Sequence, residues 1–264
     1  MLEITHDSGF FSCCSQKLHD IVKYINIKKI FPVILDCKKQ FSLYKQETQI
    51  NQDITSEYFE PINHNNDYVN NEYFDFHWLY QFIDYKKLDY NKLSQLINKY
   101  FSINDNIKNI ISFIEDKYKL DYNETCVLFY RGNDKMTETT LCGYDDMIKK
   151  ANTIKNINPN IQFLIQSDET EFINIMLLTF PNSIVFYDEI RHMHKIKSSV
   201  DIVCKKLYNM NIVNFEYSKK YLAITVIMSR CKYVVCGSGN CSLWIALYRN
   251  NADNIYQFLE NKWL

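Results

Sequence analysis

Charged residues follow a short apolar run near the middle of the sequence. The run Cys126–Tyr130 ends at Arg131, and Asp134, Lys135 and Glu138 come directly after it. An arginine at this position can neutralise a phosphate, and a nearby carboxylate can act as a base or orient a substrate. For this segment alone, an ordinary surface turn is the alternative interpretation.

A second apolar run, Ile161–Ile165, leads to the acidic pair Asp168 and Glu169. Carboxylates at a strand end can accept hydrogen bonds from sugar hydroxyls or from a base. The alternative is that Asp168 caps the helix that follows. Basic residues between Arg191 and Lys197 would add positive charge near such a site.

A third run, Tyr233–Cys236, leads to the sequence G-S-G-N-C-S before a predicted helix. Free backbone N–H groups and the positive end of a helix dipole suit a phosphate. The sequence is neither a P-loop nor a G-x-G-x-x-G motif. Beside Arg131 it would complete a diphosphate site, which we predict to involve Ser238, Gly239, Asn240, Cys241 and Ser242.

The elements that must position these residues alternate along the chain. Apolar spacing predicts helices over Cys14–Ile25, Phe74–Phe82, Lys92–Tyr100, Asn104–Tyr118, Tyr144–Ile154, Glu171–Thr179, Tyr221–Arg230 and Ser242–Arg249. Buried strands are predicted over Phe31–Asp36, Cys126–Tyr130, Ile161–Ile165, Ser183–Tyr187 and Tyr233–Cys236. This alternation predicts an α/β fold with a parallel, doubly wound sheet. The three polar turns should therefore form one pocket at the carboxyl edge of that sheet.

Composition excludes several classes of function. The 264 residues carry 30 basic and 31 acidic side chains, so the net charge of -1 gives no case for nucleic acid or an anionic membrane surface. There is no signal peptide and no apolar stretch of about 18–20 residues, which predicts no membrane span and a cytoplasmic location. The nine cysteines show no C-x-x-C pair and indicate reduced thiols rather than a metal site.

Four segments, in this order, resemble the GDP-fucose-dependent fucosyltransferase superfamily, which groups α-1,6-, α-1,2- and protein O-fucosyltransferases. Gly9–Val22 looks like the glycine-loop-to-helix opening of the family, and Phe129–Glu138 is similar to its H-x-R-R-x-D-K motif. Ile161–Glu169 looks like the strand that ends in Thr-Asp-Asp. Ser229–Trp244 resembles the last motif, particularly that of the α-1,2 group.

The resemblance implies a GT-B-like architecture of two Rossmann-like halves with parallel sheets, the C-terminal half being more regular. Residues 1–110 would form an irregular acceptor-side domain, and residues 111–264 the nucleotide-sugar-binding domain. The implied reaction is an inverting, metal-independent transfer of fucose from GDP-fucose to a glycan or protein hydroxyl. No cofactor is implied beyond the donor substrate.

The resemblance also implies roles for single residues. Arg131 would bind the β-phosphate and stabilise the departing GDP. Asp134 and Lys135 match the D-K pair of the family. Glu138 falls one position short of the catalytic glutamate, where Thr139 stands, and is the predicted base.

The donor site would take in further matched positions. Gly9 keeps the glycine of the opening loop, and Asp168 and Glu169 match the acidic pair. The segment Ser238–Ser242 would hold the phosphates.

Several positions depart from the family pattern. Phe129 replaces the motif histidine, Gly132 replaces the second arginine, and Ile224 stands where the α-1,6 group has an aspartate. These departures leave room for another GDP-sugar donor, and for a catalytically inactive module that binds a nucleotide or a glycan. A Rossmann-like protein unrelated to sugars is a third possibility.

Overall fold

The computed structural model describes residues 1–62, 72–195 and 214–264, so Lys197 and Cys204 lie outside the described residues. Its helices are α1 Phe10–Lys28, α2 Tyr90–Tyr100, α3 Asp105–Tyr118, α4 Tyr144–Ile157, α5 Thr170–Thr179, α6 Asn214–Arg230 and α7 Asn240–Arg249. Its strands are β1 Leu2–Glu3, β2 Leu35–Asp36, β3 Thr125–Tyr130, β4 Gln162–Ser167, β5 Ile184–Val185, β6 Tyr233–Gly237, β7 Ile255–Leu259 and β8 Lys262–Trp263.

A six-stranded sheet with the order β5-β4-β3-β6-β7-β8 forms the centre of the C-terminal part. Every pair in it is parallel except β7 with β8. All six residues of β3 are buried, as expected for a central parallel strand covered on both faces. The α/β fold with a parallel, doubly wound sheet is therefore as predicted.

Alternate residues of β3 enter different cores, because successive side chains of a strand point to opposite faces. Val127 and Phe129 belong to a large cluster that also holds buried side chains of α1, α2, α3, α6 and α7. Cys126 and Leu128 belong to a smaller cluster with side chains of α4 and α5. Helices therefore cover both faces and leave the carboxyl edge of the sheet open for a site.

The N-terminal part is less regular, and two predictions for it were wrong in extent. The predicted strand Phe31–Asp36 is reduced to β2, because its partner β1 offers only two residues for pairing. The predicted helix Phe74–Phe82 is a 3₁₀-helix over Trp78–Phe82. The Asn26 side chain bonds both the N–H and the C=O of Phe74, which keeps that residue outside the helix.

Two strands at the end of the chain were not predicted. β7 adds to β6 in parallel, and β8 returns antiparallel through a two-residue turn. Glu260 and Asn261 in that turn both have positive φ, as a tight hairpin turn of the primed type requires. The division at residues 110 and 111 stays a prediction, and the larger core includes side chains from both sides of it.

None of the described helices is both long and apolar enough to cross a membrane. The eight cysteines of the described ranges are all buried and free, with no disulfide among them.

Candidate functional site

The three polar turns meet at one cavity of about 320 Å³, at the carboxyl edge of the sheet. The cavity is lined by Arg131, by Gln166–Asp168 and by Gly237–Ser242. The start of α1, Gly9–Ser12, closes it from the N-terminal part. The predicted convergence of the turns is confirmed, and the volume lies at the lower end of the range for small-molecule sites.

Arg131 is held by three neighbours through three different nitrogen atoms. Its Nε donates to Asp168 Oδ2 at 3.1 Å, and Nη2 donates to Asp134 Oδ1 at 3.1 Å. Nη1 donates to the Tyr221 hydroxyl at 3.0 Å. A guanidinium has five N–H groups. These partners use three of them, and the side chain as a whole lines the cavity.

The residues around Arg131 keep its guanidinium protonated. Burial by itself lowers the pKa of the guanidinium, but Tyr221 and the carboxylates of Asp168 and Asp134 outweigh it and raise that pKa. About a third of the side chain is exposed, at 32%. The cation is therefore permanent, fixed in direction and open to the cavity.

The turn after β3 is built around Glu169, which is fully buried and does not line the cavity. Its Oε1 accepts a hydrogen bond from the Asn133 N–H at 2.8 Å, and its Oε2 accepts one from the Tyr144 hydroxyl. Asp168 lines the cavity, and its Oδ1 accepts from the Gly132 N–H at 2.9 Å. The acidic pair thus divides into one residue at the cavity and one that supports the turn.

Lys135 and Glu138 form an ion pair at the cavity wall. Lys135 Nζ donates to Glu138 Oε2 at 2.6 Å and to Gln81 Oε1 at 3.1 Å. Burial lowers the pKa of the Lys135 ammonium, and Glu138 opposes that shift. The Glu138 side chain is 37% exposed, so a substrate in the cavity can reach its carboxylate.

The start of α7 presents backbone donors to the cavity. The first bond of this helix runs from Leu243 N to Gly239 O, which leaves the N–H groups of Asn240, Cys241 and Ser242 outside the helical ladder. No side chain caps the helix and its first turn holds no acidic residue. A bound anion can take the place of the missing cap.

The two predicted hydroxyl ligands of this turn have partners of their own. Ser238 donates to Phe258 O at 2.8 Å, and Ser242 donates to Gly237 O at 2.6 Å. These bonds fix the turn that positions the start of α7. Its capacity for an anion therefore resides in the backbone rather than in the hydroxyls.

The start of α1 faces the same cavity and also lacks a side-chain cap. The Phe10 N–H donates to the Tyr44 hydroxyl at 2.9 Å, and the helical ladder begins with Cys13 N donating to Gly9 O. The N–H groups of Phe11 and Ser12 precede that ladder. The positive ends of two helix dipoles, α1 and α7, thus point at one site.

Several cavity residues were not predicted. Tyr217 and Tyr221 stack at 5.5 Å, and the Arg191 guanidinium lies 4.0 Å from the Tyr217 ring. Tyr85 does not line the cavity but supports the third turn, where its hydroxyl donates to Gly239 O at 3.1 Å. In the sequence Tyr221 begins a predicted helix, whereas Tyr217 and Tyr85 lie outside the predicted helices, so no signal separates these aromatic residues from packing or loop residues.

The basic residues that follow β5 differ in whether they line the cavity. Arg191 lines the cavity, whereas His192 bonds the Thr170 hydroxyl and His194 pairs with Glu171 away from it. Across the described ranges, no group of three or more His, Cys, Asp or Glu side chains is arranged to hold a metal ion.

Comparison with known proteins identifies a fold rather than a family. No protein-family model matches the sequence. No curated protein matches it significantly.

Solved structures of one enzyme are similar in fold. The structure of the α-1,6-fucosyltransferase NodZ soaked with GDP-fucose matches with a TM-score of 0.56 at 10% identity, over 98% of this chain and 96% of that one. A Se-Met form of the fucosyltransferase NodZ from Bradyrhizobium gives 0.49 at 10% identity, over 99% and 95% of the two chains. In a third match, to NodZ from Bradyrhizobium, the TM-score is 0.42 at 11% identity.

In that third match the alignment covers 64% of this chain but only 49% of the solved chain, about half of its length. At identities this low the likeness concerns the fold alone. The fold is GT-B-like, as the resemblance implied.

Proposed function

We propose that this protein is a glycosyltransferase that takes its sugar from a GDP-sugar, with GDP-fucose as the first candidate donor. One observation carries the proposal: Arg131 and the uncapped starts of α1 and α7 face a single cavity in a GT-B-like fold. A diphosphate needs several donors that converge from different directions. This site supplies them from three separate elements.

In the proposed reaction, the bond between the sugar C1 and the β-phosphate oxygen breaks, and its electron pair leaves with GDP. Arg131, helped by Lys135 and the backbone N–H groups of α7, stabilises the growing negative charge on the diphosphate. Such charge stabilisation is usually the largest single catalytic contribution. Asp134 and Asp168 hold the Arg131 guanidinium in the required direction.

Glu138 is the proposed general base. It accepts the proton of the acceptor hydroxyl as the oxygen attacks C1 from the face opposite GDP, so the configuration inverts. Its carboxylate lines the cavity and is exposed enough to meet an acceptor. The reaction as proposed uses no metal and no cofactor.

A catalytically inactive nucleotide- or glycan-binding module is the second candidate. The observation that favours it is the short Lys135–Glu138 pair, because at 2.6 Å the ammonium occupies the carboxylate oxygen that a general base would offer to an acceptor hydroxyl. Phe129 and Gly132, in place of two basic motif residues, point the same way.

Turnover of GDP-sugars by the wild-type protein and a Glu138→Gln variant tests the proposal. We expect release of GDP and transfer of the sugar to an acceptor, with kcat lowered about 100-fold or more by the variant. Glu60→Gln is the matched control, because Glu60 forms a surface pair with Lys108 at 2.7 Å. GDP-sugar binding without turnover would instead favour the inactive module.

A further inference from the structure

Trp78 is the exposed tryptophan of the cavity wall. It lines the cavity together with Arg131 and Glu138, yet 39% of its surface is exposed. A tryptophan ring offers a large, flat apolar surface with one N–H donor, which a bound molecule can cover. The ring is therefore available to a molecule that enters the cavity.

Trp78 is connected to the proposed base through Gln81 and Lys135, residues of the same cavity wall. In a 3₁₀-helix, residues i and i+3 eclipse one another at a separation of about 6 Å along the axis. Trp78 and Gln81 therefore share the face of the helix Trp78–Phe82 that lines the cavity. Gln81 Oε1 lies 3.1 Å from Lys135 Nζ, which in turn lies 2.6 Å from Glu138 Oε2.

The indole ring is held before any ligand binds. The His77 ring packs against it at 5.6 Å with an interplanar angle of 31°. His77 Nδ1 accepts the Leu79 N–H at 3.1 Å, which caps the 3₁₀-helix. His77 also contacts the His19 ring at 4.6 Å. Such preorganisation lowers the entropy that a ligand must overcome on binding.

Apart from its charged residues, the cavity wall offers several uncharged polar side chains. They include Ser8, Ser12, Gln81, Thr139 and Thr140. A flat apolar surface beside hydroxyl and amide groups fits a sugar ring, which has an apolar C–H face and a rim of hydroxyls.

A protein acceptor fits this wall less well. An extended peptide needs partners for its backbone N–H and C=O groups, and a sheet edge commonly supplies them. Neither edge strand of the large sheet, β5 or β8, lines the cavity, and neither do β1 and β2.

We infer that Trp78 is the acceptor platform and that the acceptor is a carbohydrate, whose ring stacks on the indole while one of its hydroxyls reaches Glu138. Trp78 is then a specificity-determining residue that contacts the acceptor and not the nucleotide. The inference rests on the proposed function, because only a transferase has an acceptor. Binding of a sugar ring to Trp78 can nevertheless be measured without turnover.

Two arms test the inference separately from the proposed function. In the first, a panel of free oligosaccharides and a panel of Ser/Thr peptides are tested for direct binding to the full chain, with and without GDP. The proteins are wild type, Trp78→Ala, Trp78→Phe and Leu79→Ala, the last being an exposed neighbour that does not line the cavity. In the second arm, the affinity for GDP is measured calorimetrically for each protein.

At least one oligosaccharide should bind the wild type, with affinity reduced about tenfold or more in Trp78→Ala. Trp78→Phe should keep most of that affinity, Leu79→Ala all of it, and the GDP affinity should be the same in every protein. Oligosaccharides that bind none of the proteins, or bind Trp78→Ala as well as wild type, would overturn the inference, as would a peptide as the bound species. Failure to bind GDP, by contrast, would overturn the proposed function while sugar binding through Trp78 still stood.

Discussion

At the residue scale, the site attracts an anion through the direction of its donors and not through net charge. The ionised side chains on the cavity wall include three cations and three anions, namely Arg131, Lys135 and Arg191 against Asp134, Asp168 and Glu138. Their sum gives no overall attraction for a diphosphate. Asp134 and Asp168 bond Arg131, and Glu138 bonds Lys135, so the carboxylates fix these two cations in place. The Arg131 side chain and the start of α7 line the same cavity, so their donors can converge there.

Gly132 illustrates how tightly the turn after β3 is built. A Cβ atom at this position would lie 1.8 Å from Glu169 Oε1, which is fully buried. Gly132→Ala must therefore displace a carboxylate that holds the Asn133 N–H and the Tyr144 hydroxyl. We expect a loss of about 3 kcal/mol in the free energy of unfolding, measured by urea denaturation.

Gly237→Ala is the control, because a Cβ atom there has nothing within 4 Å although Gly237 lines the same cavity. Its effect on stability should stay within about 0.5 kcal/mol. Equal effects of the two substitutions would show that the contact between Gly132 and Glu169 is not as described.

At the scale of elements, the segment from Trp78 to Tyr85 connects the N-terminal part to the turn Gly237–Ser242. The Tyr85 hydroxyl donates to Gly239 O and accepts the Gly239 N–H at 3.2 Å, and the Tyr85 N–H donates to Gln257 Oε1 at 3.0 Å. The side chain of Gln81 in the same segment holds Lys135. Two of the three strand-end turns are thus positioned by a segment remote in sequence.

Tyr85→Phe tests this connection. Loss of the hydroxyl leaves both backbone groups of Gly239 without this partner, so we expect a cost of about 1–3 kcal/mol and weaker binding of GDP. Tyr100→Phe is matched to it, because Tyr100 is equally buried and donates to Pro32 O away from the cavity. Only the first variant should change GDP affinity, and an equal change in both would contradict this role of Tyr85.

We expect His77 to make the stability of the 3₁₀-helix at the cavity depend on pH. Burial, and after it the neighbouring His19, lower the pKa of His77 below its ordinary value of 6.5. As the pH falls, the unfolded chain therefore binds this proton at a higher pH than the folded chain does. The contribution of His77 to the free energy of unfolding is retained above about pH 6.5 and is lost as the pH falls through and below that value. Protonation also removes the acceptor that caps the helix at Leu79.

A His77→Asn variant keeps a capping acceptor without titrating. Its melting temperature should fall less than that of the wild type between pH 7.5 and pH 5.5, as measured by circular dichroism. Identical falls in the two proteins would show that His77 does not contribute to the pH dependence.

The sequence predicted the elements whose pattern is carried by long apolar runs. α3 begins at Asp105, directly after the predicted cap Asn104. The Asn104 Oδ1 accepts the Ile107 N–H at 3.1 Å. The predicted helix from Phe74 was wrong in extent, because Phe74 bonds Asn26, a residue distant in sequence, and the 3₁₀-helix begins only at Trp78. β7 and β8 were missed because their pairing becomes evident only once β6 is in place.

At the scale of the whole molecule, the sequence located the turns of the site but not its walls. Arg131, Asp168 and the segment after β6 meet because parallel strands end at a common edge, which is a consequence of topology. The contributions of Trp78, Tyr85 and Tyr217 depend on how distant segments pack across that edge. The apolar pattern of one segment does not indicate its contacts with distant segments, so these residues were interpreted as core or loop residues.

The position of Glu169 likewise could not be predicted from the sequence. The sequence predicted it, with Asp168, as a ligand of the donor, yet it is fully buried beneath the turn and bonded to Asn133 and Tyr144. Adjacent residues at a strand end point to opposite sides of the chain. Which of the two faces the cavity is decided by the packing of the turn, and its role toward a donor remains a prediction.

The most direct measurement of the central claim is calorimetric titration of GDP into the wild-type protein, Arg131→Ala and Arg230→Ala. Arg230 is an exposed arginine paired with Glu115 and serves as the control for loss of a charge. We expect GDP to bind the wild type and Arg230→Ala equally, and Arg131→Ala about 100-fold more weakly, since it lacks a charge-assisted contact to phosphate. GDP affinity that is the same in all three proteins, or absent from the wild type, would contradict the account.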